Sequence, residues 1–212
     1  MAAARGRFVT FEGGEGGGKS TQLRLLAEAL EQAGIAVLRT REPGGSAGAE
    51  EIRRLLVEGE PGRWDALTEA LLVSAARRDH LVKTIRPAVD AGQWVLADRF
   101  ADSTLAYQGH AGGVPRRELR RLYRLVAGEF QPDLTLILDL PAALGLERAR
   151  RRGGADRFER MGLAFHETLR AGFRAIAKRE KARCALIDAT AEIDAVQVEV
   201  RRVVRERLGV AI

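Results

Sequence analysis

Gly13-Gly14-Glu15-Gly16-Gly17-Gly18-Lys19-Ser20 fits the pattern G-x-x-x-x-G-K-[ST], a phosphate-cradling loop. Before it runs Phe8-Val9-Thr10-Phe11, short and β-prone. After it, apolar residues at Leu23, Leu26, Ala27 and Leu30 recur at helical spacing. A flexible glycine-rich turn would also match the bare pattern. The strand before and the amphipathic helix after are the context that a phosphate site needs. A polyphosphate requires many donors close to its oxygens. Backbone N–H groups supply them only where no Cβ blocks the approach and the chain can take positive φ, hence the glycines. The helix beginning near Lys19 aims its unpaired N–H groups and a partial charge of about +0.5 at the same spot. Lys19 can reach the β and γ phosphates, and the Ser20 hydroxyl suits Mg²⁺.

Outward from this loop, short apolar runs alternate with helical patterns. Strands are expected at Ile35-Ala36-Val37-Leu38, Trp94-Val95-Leu96-Ala97, Leu134 to Leu138 and Ala185-Leu186-Ile187. A long helix is expected from about Asp65 to Ala91, with Leu67, Leu71, Ala75, Leu81 and Ile85 near one side and Pro87 kinking or ending it. The segment from Asp102 to Gly113 reads as mixed loop and short helix. Phe165, Leu169, Phe173 and Ile176 mark another amphipathic helix, and Ile193 to Leu208 a terminal one. Five strands separated by helices mean βαβ units and a parallel sheet buried on both faces. Ligands of such sheets lie beyond the carboxyl ends of the strands. The phosphate loop, Arg41-Glu42, Asp98-Arg99 and Asp139 each follow a strand, so they are expected to gather at one rim. No repeat, low-complexity tract or linker divides residues 1–212, which read as a single domain.

The chain of 212 residues is 46% hydrophobic and 30% charged, an ordinary globular balance. No 18-residue apolar run and no apolar leader occurs, so no membrane partner is expected, and a reducing cytoplasm fits the single Cys184, expected as a buried thiol. The net charge of +6 is mostly arginine. It supports handling of phosphates, but no stretch interleaves aromatic and basic residues, so no specific nucleic acid is expected. His80, His110 and His166 are scattered and read as incidental.

A guanine-reading N-K-x-D is absent, and motor ATPases are usually larger. A phosphoryl-transfer kinase suits the remaining arginines, because its two charged substrates must be screened from each other and from water. Asp98 can hold Mg²⁺ directly or through water, and Arg99 can clamp an acceptor phosphate bidentately. Arg148-Ala149-Arg150-Arg151-Arg152-Gly153-Gly154 reads as the start of a lid over about 148–160. Its glycines give hinge freedom, and Arg148, Arg150 and Arg152 are candidate charges for the γ-phosphate. Asp139 reads as structural.

Phe11-Glu12-Gly13 through Lys19-Ser20-Thr21, Thr40-Arg41-Glu42-Pro43-Gly44-Gly45, Asp98-Arg99 with Ser103 and Ala106-Tyr107-Gln108-Gly109, Pro132-Asp133-Leu134-Thr135 and Leu138-Asp139 together resemble bacterial thymidylate kinase. The match spans essentially the whole chain in the family's order. The resemblance implies a three-layer α/β P-loop NTPase fold and transfer from ATP, with Mg²⁺, to dTMP, in a homodimer. It implies ATP binding along Gly13, Gly14, Glu15, Gly16, Gly17, Gly18, Lys19, Ser20 and Thr21, and metal binding at Ser20 and Asp98. Glu15 would meet the deoxyribose 3′-OH side, Arg77 the base, Arg99 the acceptor phosphate and Thr104 the edge of thymine. Tyr107 would crowd the sugar 2′ position. Arg41, Val73, Ser103 and Gln108 complete the implied dTMP wall. Lys19, Arg99, Glu15 and the lid arginines carry the implied catalysis. The family usually has phenylalanine at Val73 and tyrosine at Phe100, so either dTMP binds more weakly or another residue covers the base. A kinase for another nucleoside monophosphate or a small metabolite, and a non-catalytic nucleotide-binding protein, are the competing readings.

Overall fold

The computed structural model describes residues 5–153 and 157–212; part of the expected lid, 154–156, lies outside them. The strands are β1 (Phe8–Gly13), β2 (Val37–Arg41), β3 (Trp94–Asp98), β4 (Leu134–Asp139) and β5 (Cys184–Asp188). They form one parallel sheet ordered β2-β3-β1-β4-β5. Side chains alternate across it. Val9, Phe11, Leu136 and Leu138 face α1 (Lys19–Gln32) and α9 (Ile193–Leu208), packing with Leu26, Leu30, Val200 and Val204. Phe8, Val95 and Ala97 face the opposite way, onto Leu81, Ile85 and Phe100, and Ile137 packs on Leu169 and Phe173 of α8 (Leu163–Arg179). Both faces are covered, which is why the strands read as apolar runs. Full burial of such a side chain contributes about 1.5–3 kcal/mol.

Register builds the rim. Phe11 and Arg41 both pair with Asp98, and Gly13 pairs with Leu138. Asp139 pairs with Asp188 at the same end. The gathering expected from strand ends is therefore present.

Several local expectations are corrected. The second strand starts later than Ile35, because Gly34 and Ile35 close the end of α1 by donating to Glu31 O and Leu30 O. It runs on to Arg41 because an edge strand can turn Arg39 and Arg41 to solvent. The long helix is α3 (Ala66–His80), capped by Asp65, then a widened π-type turn at Leu81–Ile85 and α4 (Arg86–Asp90). The wide turn lies just before Pro87, in the first turn of α4, and the backbone stays right-handed through Ile85 and Arg86. Leu67, Leu71 and Ala75 do not join Leu81 and Ile85 in the core; they are exposed. The inward face of α3 is given instead to Glu69, Ser74, Arg77 and His80. Residues 102–113 are more helical than expected: α5 (Ala101–Thr104) continues into π-type turns at Leu105–Ala111. No helix of the described residues is long and apolar enough to cross a membrane.

Candidate active site

The rim opens into a cavity of about 380 Å³. Its floor is the loop after β1. A Cβ on Gly13 would meet Leu138 O at 2.3 Å, and one on Gly16 would meet Gly145 O at 2.0 Å, so at both positions neighbouring backbone excludes any larger residue. Lys19 opens α1 and is buried. Its Nζ donates to Gly14 O at 2.7 Å and Gly13 O at 3.3 Å, across the loop it serves. Burial, with Arg99 nearby, pulls its pKa down, against Glu15 and Asp98. Ser20 Oγ donates to Asp98 Oδ2 at 2.5 Å.

The wall beside Lys19 is built on the turn after β3. Arg99 takes φ +71, unusual for a residue with a Cβ, and is held there from several sides. Its backbone N donates to Phe11 O at 2.9 Å. Its guanidinium donates to Gly13 O at 2.9 Å, Ser103 Oγ at 3.2 Å and Glu15 Oε1 at 2.7 Å. Tyr107 donates its hydroxyl to the same Glu15 oxygen at 2.5 Å. Burial opposes ionisation of Glu15, but Arg99, Lys19 and Tyr107 outweigh it and hold its pKa down at about 2. For Arg99, burial is likewise outweighed by Glu15 and its other acidic neighbours, so its pKa is raised.

Glu12, three residues earlier, is the opposite case. Its carboxylate accepts from Phe100 N at 2.8 Å, Ser103 N at 3.2 Å and Ser103 Oγ at 2.5 Å, fixing the chain that follows Arg99. Burial, then Asp102, pushes its pKa up to about 7. The sequence pattern alone assigns Glu12 no role. Its signal was position: a carboxylate inside an otherwise apolar strand needs buried partners.

The third wall comes from α3 and the loop after β2. Arg77 Nε donates to Glu42 Oε2 at 2.8 Å and Nη2 to Thr104 Oγ1 at 3.1 Å, with its guanidinium 5.0 Å from the centre of the Phe100 ring. His80 is not incidental: fully buried, it joins Glu42 and Thr40 behind Arg77. His166 is also buried, and burial lowers its pKa. His110 is exposed. Cys184 is buried, and burial pushes its pKa up to about 12, the inert thiol expected.

Of the sequence-derived site residues, Glu15, Gly16, Gly17, Gly18, Lys19, Ser20, Thr21, Arg41, Val73, Arg77, Asp98, Arg99, Ser103, Thr104, Tyr107, Gln108 and Arg152 line this cavity. Gly13 and Gly14 lie beneath it as acceptors for Lys19. Arg148 and Arg150 are not brought to it. Arg148 donates to Ala189 O and Thr190 O, and Arg150 to Leu146 O, a carbonyl of its own helix α7 (Ala142–Arg152). Arg152 pairs with Glu159. Asp139 is clamped by Arg170 and Arg174, a structural pairing. The sequence pattern assigns no site role to Arg157 or Phe158, and of the two only Phe158 lines the cavity. Arg157, 2% exposed, donates to Glu69 Oε1 at 2.6 Å and Leu56 O at 2.9 Å, and Glu69 in turn accepts from Gln108. Phe158 lines the cavity with its ring edge-on to Tyr107, centroids 5.4 Å apart. Glycines at 153 and 154 drew attention to the arginines before them rather than to these two after.

A parallel sheet with a phosphate loop on β1, an acid at the end of β3 and a second cationic pocket beside it defines a P-loop phosphotransferase. The thymidylate kinase family model matches residues 11–200. A thymidylate kinase from Caulobacter vibrioides is 58% identical over 97% of this chain and 99% of that one. One from Bradyrhizobium is 53% identical over 98% and 93%. The crystal structure of thymidylate kinase from Ehrlichia chaffeensis superposes with a TM-score of 0.78, at 36% identity over 94% of this chain and 99% of that chain. The chain belongs to the thymidylate kinase family.

Proposed function

We propose that this chain transfers the γ-phosphoryl group of ATP to dTMP, giving dTDP and ADP. The observation that carries the reading is the single cavity in which Lys19 and the glycine amides stand beside Arg99, both cations donating to Gly13 O. The loop amides and Lys19 bind the polyphosphate. Arg99 binds the acceptor phosphate, and its pairing with Glu15 keeps it aimed there. Glu15 and Tyr107 stand at the sugar side, Arg77 and Thr104 at the base. The arginines of α7 reach the transferring group by giving up their present partners.

Ser20 Oγ and Asp98 Oδ2 are hard oxygen donors side by side at the loop, a set that fits Mg²⁺ when phosphates and water complete its shell. When bound, that ion neutralises charge on the β and γ oxygens. A homodimer is part of the proposal, supported by the apolar side chains that α3 and α6 (Arg116–Ala127) leave in solvent: Leu67, Leu71 and, 81% exposed, Leu125. So is a cytoplasmic location, which the buried free thiol of Cys184 suits.

The test is ADP release by purified protein with MgATP and a panel of nucleoside monophosphates. Strong preference for dTMP is expected. Equal use of several monophosphates, or turnover with none, overturns the assignment.

A further inference from the structure

A second cavity of about 190 Å³ lies behind the base wall. Arg77 and Thr104 line both cavities, so their hydrogen bond is the partition between them. The second cavity is also lined by Arg116, Arg120, Tyr123, Glu180 and Arg183. Nothing in the proposed reaction uses it.

Its charge is unbalanced. Arg183 is satisfied by Asp102 through two bonds, at 2.7 and 2.8 Å. Arg116, Arg120 and Arg179 instead converge on Oε1 of Glu180, at 3.4, 4.0 and 3.3 Å. One carboxylate serves three guanidinium groups. Arg116 Nε is buried with no hydrogen-bond partner among the described residues. Burial first, then Arg179 and Arg120, lowers the pKa of Arg116, against Glu180. A buried donor without a partner is unfavourable, and like charges held together add to that. Both costs fall when an anion enters. At half the volume of the main cavity, this one has no room for a second nucleotide of the kind held there.

We propose that this cavity is an oxyanion site, taking a small multiply charged anion of the phosphate or pyrophosphate class between Arg116 and Arg120. The anion sets negative charge behind Arg77, the side chain that faces the acceptor nucleotide from the other cavity. Its occupancy therefore weakens acceptor binding. Oxyanion binding stands on the cavity alone; the coupling rests on the dTMP reading above.

The experiment is calorimetric titration of inorganic pyrophosphate into the full chain and into three variants. Wild type is expected to show two sites, one of them the phosphate loop. Lys19→Ala removes that one. Arg116→Ala with Arg120→Ala weakens the other at least tenfold. Arg117→Ala, on the solvent side of the same helix, changes neither. A single site abolished by Lys19→Ala, or two sites indifferent to the Arg116 and Arg120 changes, overturns the proposal. Arg116 and Arg120 are partly exposed, so their loss leaves the fold intact, and circular dichroism checks this. In a second arm, dTMP affinity is measured with the anion site filled and empty. Both measurements carry Lys19→Ala, so that the phosphate loop takes no pyrophosphate; at least threefold weakening is expected with Arg116 and Arg120 intact and none with both replaced. Tight dTMP binding that pyrophosphate leaves unchanged in both overturns the coupling. A chain that binds no dTMP overturns the kinase reading instead, and leaves the titration to decide the oxyanion site.

Discussion

The acceptor wall of the main cavity and the arginine-bearing end of α7 are built in opposite ways. At the acceptor wall, Glu12 at the end of β1 and Arg99 after β3 join Glu15, Ser103 and Tyr107 in one connected network. At the end of α7, Arg148, Arg150 and Arg152 stand on the last two turns of a helix, bonded to carbonyls or to Glu159, and only Arg152 lines the cavity. Strand ends are fixed by a sheet whose core surrounds them, so charge placed there costs no reorganisation when the acceptor arrives. The end of α7 next to Gly153 holds these three arginines by side-chain bonds to carbonyls or to Glu159. On the proposed function, the difference means that the acceptor phosphate meets a finished site, whereas the screen over the γ-phosphate is assembled during each turnover.

Replacing Arg148, Arg150 and Arg152 together by alanine probes the end of α7 alone. Turnover is expected to fall roughly 10³-fold or more, the worth of a transition-state arginine. Thermal stability stays near wild type, because Arg150 and Arg152 are exposed and Arg148, half-buried, gives up only its bonds to the Ala189 and Thr190 carbonyls. A collapse in melting temperature with turnover intact would reverse the comparison. Lys19→Ala removes the charge beside Arg99. The fold is expected to persist and turnover to drop by roughly 10²-fold or more; near-normal turnover refutes its role.

Arg99→Ala probes the finished end. A charge-assisted bond contributes about 1.5–3 kcal/mol, so KM for dTMP is expected to rise roughly 10- to 100-fold with KM for ATP little changed. Equal losses for both nucleotides would remove Arg99 from the acceptor.

This contrast also marks what the chain reveals before folding. The phosphate loop, the sheet and the strand-end placement of Asp98 and Arg99 follow from local pattern plus one rule about parallel sheets. The network behind them does not. Glu12 makes sense only once Phe100 and Ser103 are beside it, 88 and 91 residues away. Arg157 is joined to Leu56 and Glu69 across similar separations. Leu67 and Leu71 mislead for the converse reason. Helical spacing identifies a face, yet the sheet rim claims the polar face of α3 and leaves the apolar one outside. Periodicity cannot say which face a charged site will occupy.

The smallest effect distinguishes two carboxylates within the finished end itself. Glu15, held at about 2, favours the folded chain when ionised; that contribution is complete above its unfolded value of 4.5 and is lost as pH falls from there toward 2. Glu12, raised to about 7, works the other way. Its contribution is complete below 4.5 and is lost as pH rises through 7, because the folded chain keeps a proton the unfolded chain has released. In the window from 4.5 to 7, Glu12 alone gives a slope of up to about 1.4 kcal/mol per pH unit, falling toward neutrality. Urea midpoints measured across this range are expected to lose that slope in Glu12→Gln and to keep it in Glu15→Gln. Below 4.5 the pattern reverses, with Glu15→Gln losing the acid-side decline. The amide in Glu12→Gln still accepts from the backbone of Phe100 and Ser103, so the turn carrying Arg99 survives and KM for dTMP stays near wild type. Unchanged slopes in both variants would mean that the two carboxylates titrate alike, and that the turn around Arg99 is held by packing rather than by Glu12.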